Sequence, residues 1–241
     1  MKYASFQRIA LTGALIILLS MGAASGNANL QVCDPCPDCI PPCDFPVSEF
    51  CSPLIIDVSG GGFHLTDARN GVLFDMTGNG KRLQVAWTAS GSLDAFLVLD
   101  RNGNGVIDSG KELFGNFTAQ PTSPNPNGFL ALAEYDKVEN GGNGDGIIDE
   151  KDAIFSSLRL WVDTNHDGVS QATELFQLPT FGVYSISLNY KESRRKDRYG
   201  NVFRYRARIN VTTAKEDVSK AGPVAYDVFL TALNAVGVAG Q

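Results

Sequence analysis

From Pro53 onward the chain alternates short apolar runs with turns built from Asp, Asn and Gly. Leu54-Ile55-Ile56-Asp57 reads as a strand, as do Val72-Leu73-Phe74, Leu83-Gln84-Val85-Ala86-Trp87 and Phe96-Leu97-Val98-Leu99. Phe129 to Tyr135 reads as a short helix, and Ala153 to Trp161 as a helix followed by a strand. Further on the pattern switches to period two. Tyr184, Ile186, Leu188 and Tyr190 alternate with polar residues, and so do Phe203, Tyr205, Ala207 and Ile209. With Asp197-Arg198-Tyr199-Gly200-Asn201 between them, these runs predict a β-hairpin within residues 183–212. Tyr226 to Leu233 predicts a last strand or helix packed on that hairpin. The expected class is α+β: short antiparallel strands and short helices joined by loops.

Those loops carry the chemistry. Asp163, Asn165, Asp167, Gly168, Val169, Gln171 and Glu174 fall at positions 1, 3, 5, 6, 7, 9 and 12 of an EF-hand loop. The spacing brings side-chain oxygens and one carbonyl to a common point, with glycine where the chain turns sharply. Asp100, Asn102, Asn104, Val106 and Asp108 repeat the order, with the closing Glu112 one residue late. Asn143, Asp145, Ile147, Asp149 and Asp152 fit from the third position on. Gly141 stands where the first ligand should be, so Asp136, Glu139 or water must supply that oxygen. Asp75, Thr77 and Asn79 make a weaker set, because Ala86 occupies the twelfth place. The turn at Asp57 to Gly62 has the same rhythm with a single carboxylate and reads as a vestige. The loops ending at Asp152 and Glu174 are close in sequence, and EF-type loops work in pairs. The implied cofactor is Ca²⁺, bound at about 10⁻⁵–10⁻³ M as in extracellular modules.

The N-terminus sets the compartment. Met1-Lys2 and Arg8 precede a mostly apolar stretch from Ile9 to Ala24 and then small residues, which predicts a signal peptide over residues 1–28. Residues 29–51 hold Cys33, Cys36, Cys39, Cys43 and Cys51 among prolines and read as a stiff linker. Outside the cytosol the expectation is two disulfides and an odd thiol, which could join two chains as a dimer. A cysteine metal cluster is the weaker reading, since no histidine accompanies the Cys-x-x-Cys pairs. Residues 52–241 form the calcium-binding module.

Charge excludes some functions. The chain has 20 basic and 26 acidic residues, net −6, which becomes −8 without Lys2 and Arg8. That balance suits a hard cation and argues against nucleic acid as a partner. The Arg204/Arg206/Arg208 face is the one surface that could hold an anionic polymer, although a solvated face is the plainer reading. Conventional hydrolase motifs are absent, and the histidines are His64 and His166 only. Met76 is the one methionine beyond the leader, so a methionine-rich groove that opens on calcium binding is not expected.

One further pattern is the order of motifs. Pro53-Leu54-Ile55-Ile56-Asp57, Phe74-Asp75-Met76-Thr77-Gly78-Asn79-Gly80 with Trp87, Leu97-Val98-Leu99-Asp100 and its loop, Glu112-Leu113-Phe114-Gly115, and Leu158-Arg159-Leu160-Trp161 follow one another. Over about residues 52–212 this order resembles the calcium-dependent self-processing module of secreted iron-regulated proteins related to the repeats-in-toxin group. It also resembles other secreted bacterial EF-hand proteins that share the module. The resemblance implies cleavage of an Asp-Pro bond at the start of the module, in which the aspartate attacks its own carbonyl. The resulting anhydride can then react with a lysine. Here the matching pair is Ser52-Pro53, and serine cannot form that anhydride, so the chain is expected not to be an enzyme. The remaining Asp-Pro, Asp34-Pro35, lies outside the resemblance and keeps self-processing as the alternative. The glycine-rich nonapeptide array of the toxin group is missing.

Overall fold

The computed structural model describes residues 51–215 and 222–233. The leader and Cys33, Cys36, Cys39 and Cys43 lie outside the described residues. Among the described residues eleven strands and one α-helix are formed: β1 (Leu54–Asp57), β2 (Val72–Phe74), β3 (Leu83–Val85), β4 (Asp94–Val98), α1 (Gly128–Ala133), β5 (Ile147–Ile148), β6 (Arg159–Trp161), β7 (Leu175–Phe176), β8 (Ile186–Ser187), β9 (Lys191–Lys196), β10 (Val202–Arg208) and β11 (Val224–Phe229). A seven-stranded antiparallel sheet in the order β7-β6-β4-β1-β11-β10-β9 forms the frame. The pairs β2–β3 and β5–β8 are separate two-stranded ribbons.

The central strands are covered on both faces, which explains their unbroken apolar runs. Leu54 and Ile56 of β1 point into one core with Leu97, Leu160, Phe129 and Leu132, so α1 lies on that side. Ile55 and Phe96 point into the other, with Trp87, Trp161, Phe74 and Val85, beneath the β2–β3 ribbon. Cys51 belongs to this second core and is buried.

The expected α+β class does not hold. Among the described residues α1 is the one α-helix, six residues long and capped by the Asn127 side chain, which accepts from the Phe129 and Leu130 amides. The loops are flanked by strands instead of helices. Runs of three to five apolar residues cannot nucleate a helix that is marginal below about 12 residues. A strand of the same length gains its hydrogen bonds from neighbours in the sheet. Residues 151–157 accordingly turn without forming the expected helix before β6.

The hairpin is also displaced. Its strands are β9 and β10, joined through residues 197–201. The alternating stretch from Tyr184 to Tyr190 instead contributes β8, which pairs with β5. The outer strand β9 needs no apolar face because it forms the sheet edge, and its Lys-Glu-Ser-Arg-Arg-Lys sequence suits an edge that must not recruit another chain. The last segment resolves to a strand, β11, between β1 and β10.

Candidate metal centre

Each Asp/Gly loop is wound around its first carboxylate. Asp100 accepts from the amides of Gly103 (2.8 Å) and Gly105 (2.9 Å), the fourth and sixth loop residues. Asp75 does the same with Gly78 (2.8 Å) and Gly80 (2.7 Å), and Asp163 with Gly168 (2.9 Å). The sixth residue must turn with positive φ, and Gly80, Gly105, Gly146 and Gly168 do so at 83°, 82°, 83° and 69°.

The interrupted loop has a first residue after all. Asp136 accepts from Gly144 (3.1 Å) and Gly146 (2.9 Å), so it takes the first position and residues 137–142 bulge outward. Glu139, the other candidate, is exposed in that bulge.

The closing acids fold back onto their loops. Glu112 accepts from the Arg101 amide (3.2 Å) and the Asp108 amide (2.9 Å). Glu174 accepts from Thr164 (3.0 Å) and Asp152 from Asp149 (2.8 Å). The one-residue delay before Glu112 is therefore absorbed. The Asp75 loop has no such acid; the Lys111 ammonium donates to its Gly78 carbonyl at 2.9 Å. The third and fifth side chains, Asn102, Asn104, Asn143, Asp145, Asn165 and Asp167, accept from amides two residues on. Thr77 lies 3.5 Å from Asp75, and Asn79 accepts from Lys81. The residues at the seventh place differ in exposure: Val106 and Val169 are exposed, whereas Ile147 is buried.

Like charges gather in these turns. Burial, reinforced by neighbouring carboxylates, holds Glu112 and Asp152 above the ordinary acid range; Asp108 faces the first, Asp136 and Asp149 the second. Asp149 is pulled the other way. Its burial is outweighed by Lys151, whose ammonium lies 2.7 Å from it and 3.7 Å from Asp145. A cation within the loop therefore already neutralises part of it.

The donor set fits calcium. All side-chain donors are oxygens, hard ligands of the kind Ca²⁺ takes in sixes to eights. Gln171 Oε1, at the ninth position, is buried without a well-formed hydrogen bond, facing the Glu174 amide, while Gln171 Nε2 donates to Asp167 at 2.9 Å. Among the described residues no three His, Cys, Asp or Glu side chains are drawn into one compact cluster, so each loop depends on amide and carbonyl oxygens as well.

The 163–174 loop meets the 100–112 loop, not the neighbouring one in sequence. The Ile107 amide donates to Ser170 Oγ at 2.6 Å, joining the eighth residues of both. The Asp75 loop joins the same group, its carbonyl accepting from Gly110 at 2.7 Å. The 136–152 loop instead uses Ile147 and Ile148 to pair with β8.

Sequence reasoning missed the aromatic floor. Trp87 donates its indole N–H to Asp163 at 2.8 Å, and Trp161 lies 3.4 Å from Glu174. Both rings are fully buried beside Phe74 and Phe96. No spacing in the chain links residue 87 to residue 163.

The basic face is partly engaged. Arg204 lies over Tyr205 and Phe229 and donates to Asn125, while Arg195 stacks on Phe203. Arg206 and Arg208 are half-buried along β10.

The Ser52–Pro53 junction is held from several sides. The Ser52 amide donates to Asn116 Oδ1 at 2.8 Å, and the Pro53 carbonyl accepts from Val228 at 3.0 Å. Gly115 lies so close that a Cβ there would fall 1.5 Å from the Ser52 carbonyl oxygen.

Two comparisons place these features among known proteins. Residues 54–226 match the family model of the SPM domain. Over 169 residues the chain is 40% identical to iron-regulated protein FrpA of Neisseria meningitidis serogroup C, which covers 68% of this chain. The aligned stretch amounts to 14% of that much longer protein. The similarity bears on the self-processing alternative more directly than on a purely structural module, and it does not of itself carry calcium binding. With its Asp/Gly loops and most of its sheet inside the matched region, which begins just after the Ser52–Pro53 junction, the chain belongs to the SPM domain family, the iron-regulated self-processing group that its motif order resembles.

Proposed function

We propose that this chain is an exported, calcium-folded member of the self-processing family that keeps the processing frame but leaves its own Ser52–Pro53 bond uncut. The observation that carries the calcium part is the return of Glu112, Asp152 and Glu174 onto the openings of their loops, at Arg101, Asn143 and Thr164. Carboxylates gathered this way repel one another until a cation arrives, so binding and folding are coupled. The leader-like N-terminus and the cysteine segment support export.

The uncut junction follows from position 52. The fold encloses the Ser52–Pro53 peptide, yet Ser52 offers a hydroxyl where the family reaction needs a carboxylate. The test is calcium titration of the chelator-stripped chain, followed by calorimetry, circular dichroism and gel analysis. Saturable heat with a gain of structure and an intact chain is expected. Ser52→Asp should then release a fragment beginning at Pro53, in calcium only. An unsubstituted chain that breaks at Asp34–Pro35 with calcium would establish self-processing in its native form and refute the uncut reading. Absence of heat and of structural change would refute the calcium reading.

A further inference from the structure

The Asp57 turn, residues 57–62, has one carboxylate of its own; counted to twelve residues the loop ends on the apolar Ala68, and Asp67 at the eleventh place accepts from Asn70 instead. Its winding nevertheless matches that of the acid-closed loops. Asp57 accepts from the fourth and sixth amides, Gly60 at 2.9 Å and Gly62 at 2.6 Å, and also from Ser59 N–H at 3.0 Å and Ser59 Oγ at 2.7 Å. Gly62 turns at φ 94°.

A second carboxylate reaches this loop from another strand. Asp94 stands directly opposite Asp57 in the β1–β4 register and is 1% exposed. Its Oδ2 accepts from the His64 amide at 2.7 Å, much as Glu112 and Asp152 accept from later amides of their own loops. Its Oδ1 is buried with no well-formed hydrogen bond, the Ser92 hydroxyl being the neighbouring donor that offsets part of its burial. A buried, unsatisfied carboxylate oxygen beside another carboxylate is costly unless something positive meets it. The His64 ring, 60% exposed with Nδ1 3.9 Å from Oδ2, is too far to donate to Asp94.

We propose that Asp57 and Asp94, helped by the Ser59 hydroxyl and the Phe63 carbonyl at the seventh place, form a further Ca²⁺ site, closed across the sheet by β4. Burial, reinforced by the Asp57 charge, pushes the Asp94 carboxyl up to about 6. The proposal rests on the calcium reading of the other loops only for the identity of the ion. Two carboxylates make this a weaker site than the loop closed by Glu174.

Amide NMR of the ¹⁵N-labelled chain during calcium titration separates the two ideas. Saturable shifts at Ser59, Gly60, Gly62 and His64 are expected, in addition to those in the loops at Asp100, Asp136 and Asp163. Asp94→Asn should abolish the first set and leave the others, whose unchanged pattern reports an intact fold. If the other loops respond while these four amides stay still, this site is refuted and the broader reading stands. Stillness in every loop would refute both. Shifts that persist in Asp94→Asn would remove Asp94 as the closing ligand. A response to Zn²⁺ but not Ca²⁺, lost in His64→Ala, would overturn the hard-oxygen assignment.

Discussion

Asp227 offers a sharp test of the energetics, because it is a carboxyl in the middle of the sheet with no exposure at all. It sits on β11 opposite Leu54 and accepts from the Gly128 amide through Oδ2. Its Oδ1 has no well-formed partner. Burial pushes its pKa up to about 7, against smaller opposing contributions from the Ser52 hydroxyl, the Gly128 amide and the Arg204 charge. Tyr205, its neighbour on β10, is itself pushed up, first by its own burial. An acid raised in the folded state binds more protons than the unfolded chain between the two pKa values. Stability is therefore lost as pH rises from the ordinary aspartate value near 4 to about 7. At about 1.4 kcal/mol per pH unit the full loss is about 4 kcal/mol, of which about 2–3 kcal/mol falls between pH 5 and 8. Asp227→Asn keeps an oxygen for Gly128 and cannot ionise. Urea unfolding of both proteins in saturating calcium, at several pH values across that range, isolates the effect as a difference. The variant should gain on the parent as pH rises. A difference that stays flat would mean that Asp227 is already charged in the folded protein, and the desolvation argument would be wrong.

Other perturbations probe the loops and their floor. Glu174→Gln removes the charge that closes the 163–174 loop; calcium affinity at that loop should fall at least about tenfold by calorimetry, in line with the dependence of such sites on ligand charge. Trp87→Phe leaves Asp163 without its indole donor, so unfolding in calcium should cost about 1–3 kcal/mol less than in the parent. Gly115→Ala drives a methyl into the Ser52 carbonyl and should destabilise by about 3 kcal/mol or more in thermal unfolding, with the junction displaced.

What the chain discloses about itself depends on distance along it. The winding of the loops at Asp75, Asp100 and Asp163 is written within about a dozen residues, whereas the loop closed by Asp152 takes its first aspartate, Asp136, from beyond an insertion. Strands β1, β2 and β4 were legible from their apolar runs. The helical expectation failed because a buried run of a few residues has no period from which to tell strand from helix. The hairpin slipped because Lys191 to Lys196, an edge strand, shows no apolar alternation. Sheet order was out of reach: β1 lies between β4 and the distant β11. So were the site residues that come from elsewhere, since Trp87 and Asp94 meet their loops only through the fold.

The two tryptophans carry a practical consequence. The sequence contains no others, and both indoles are aimed at carboxylates of a single loop, Asp163 at its opening and Glu174 at its close. Ultraviolet emission from the unlabelled protein is therefore an optical gauge of that one position. It would report occupancy of that loop most directly, together with the folding of the core around the indoles, so a fluorescence titration and a calorimetric one need not give the same midpoint.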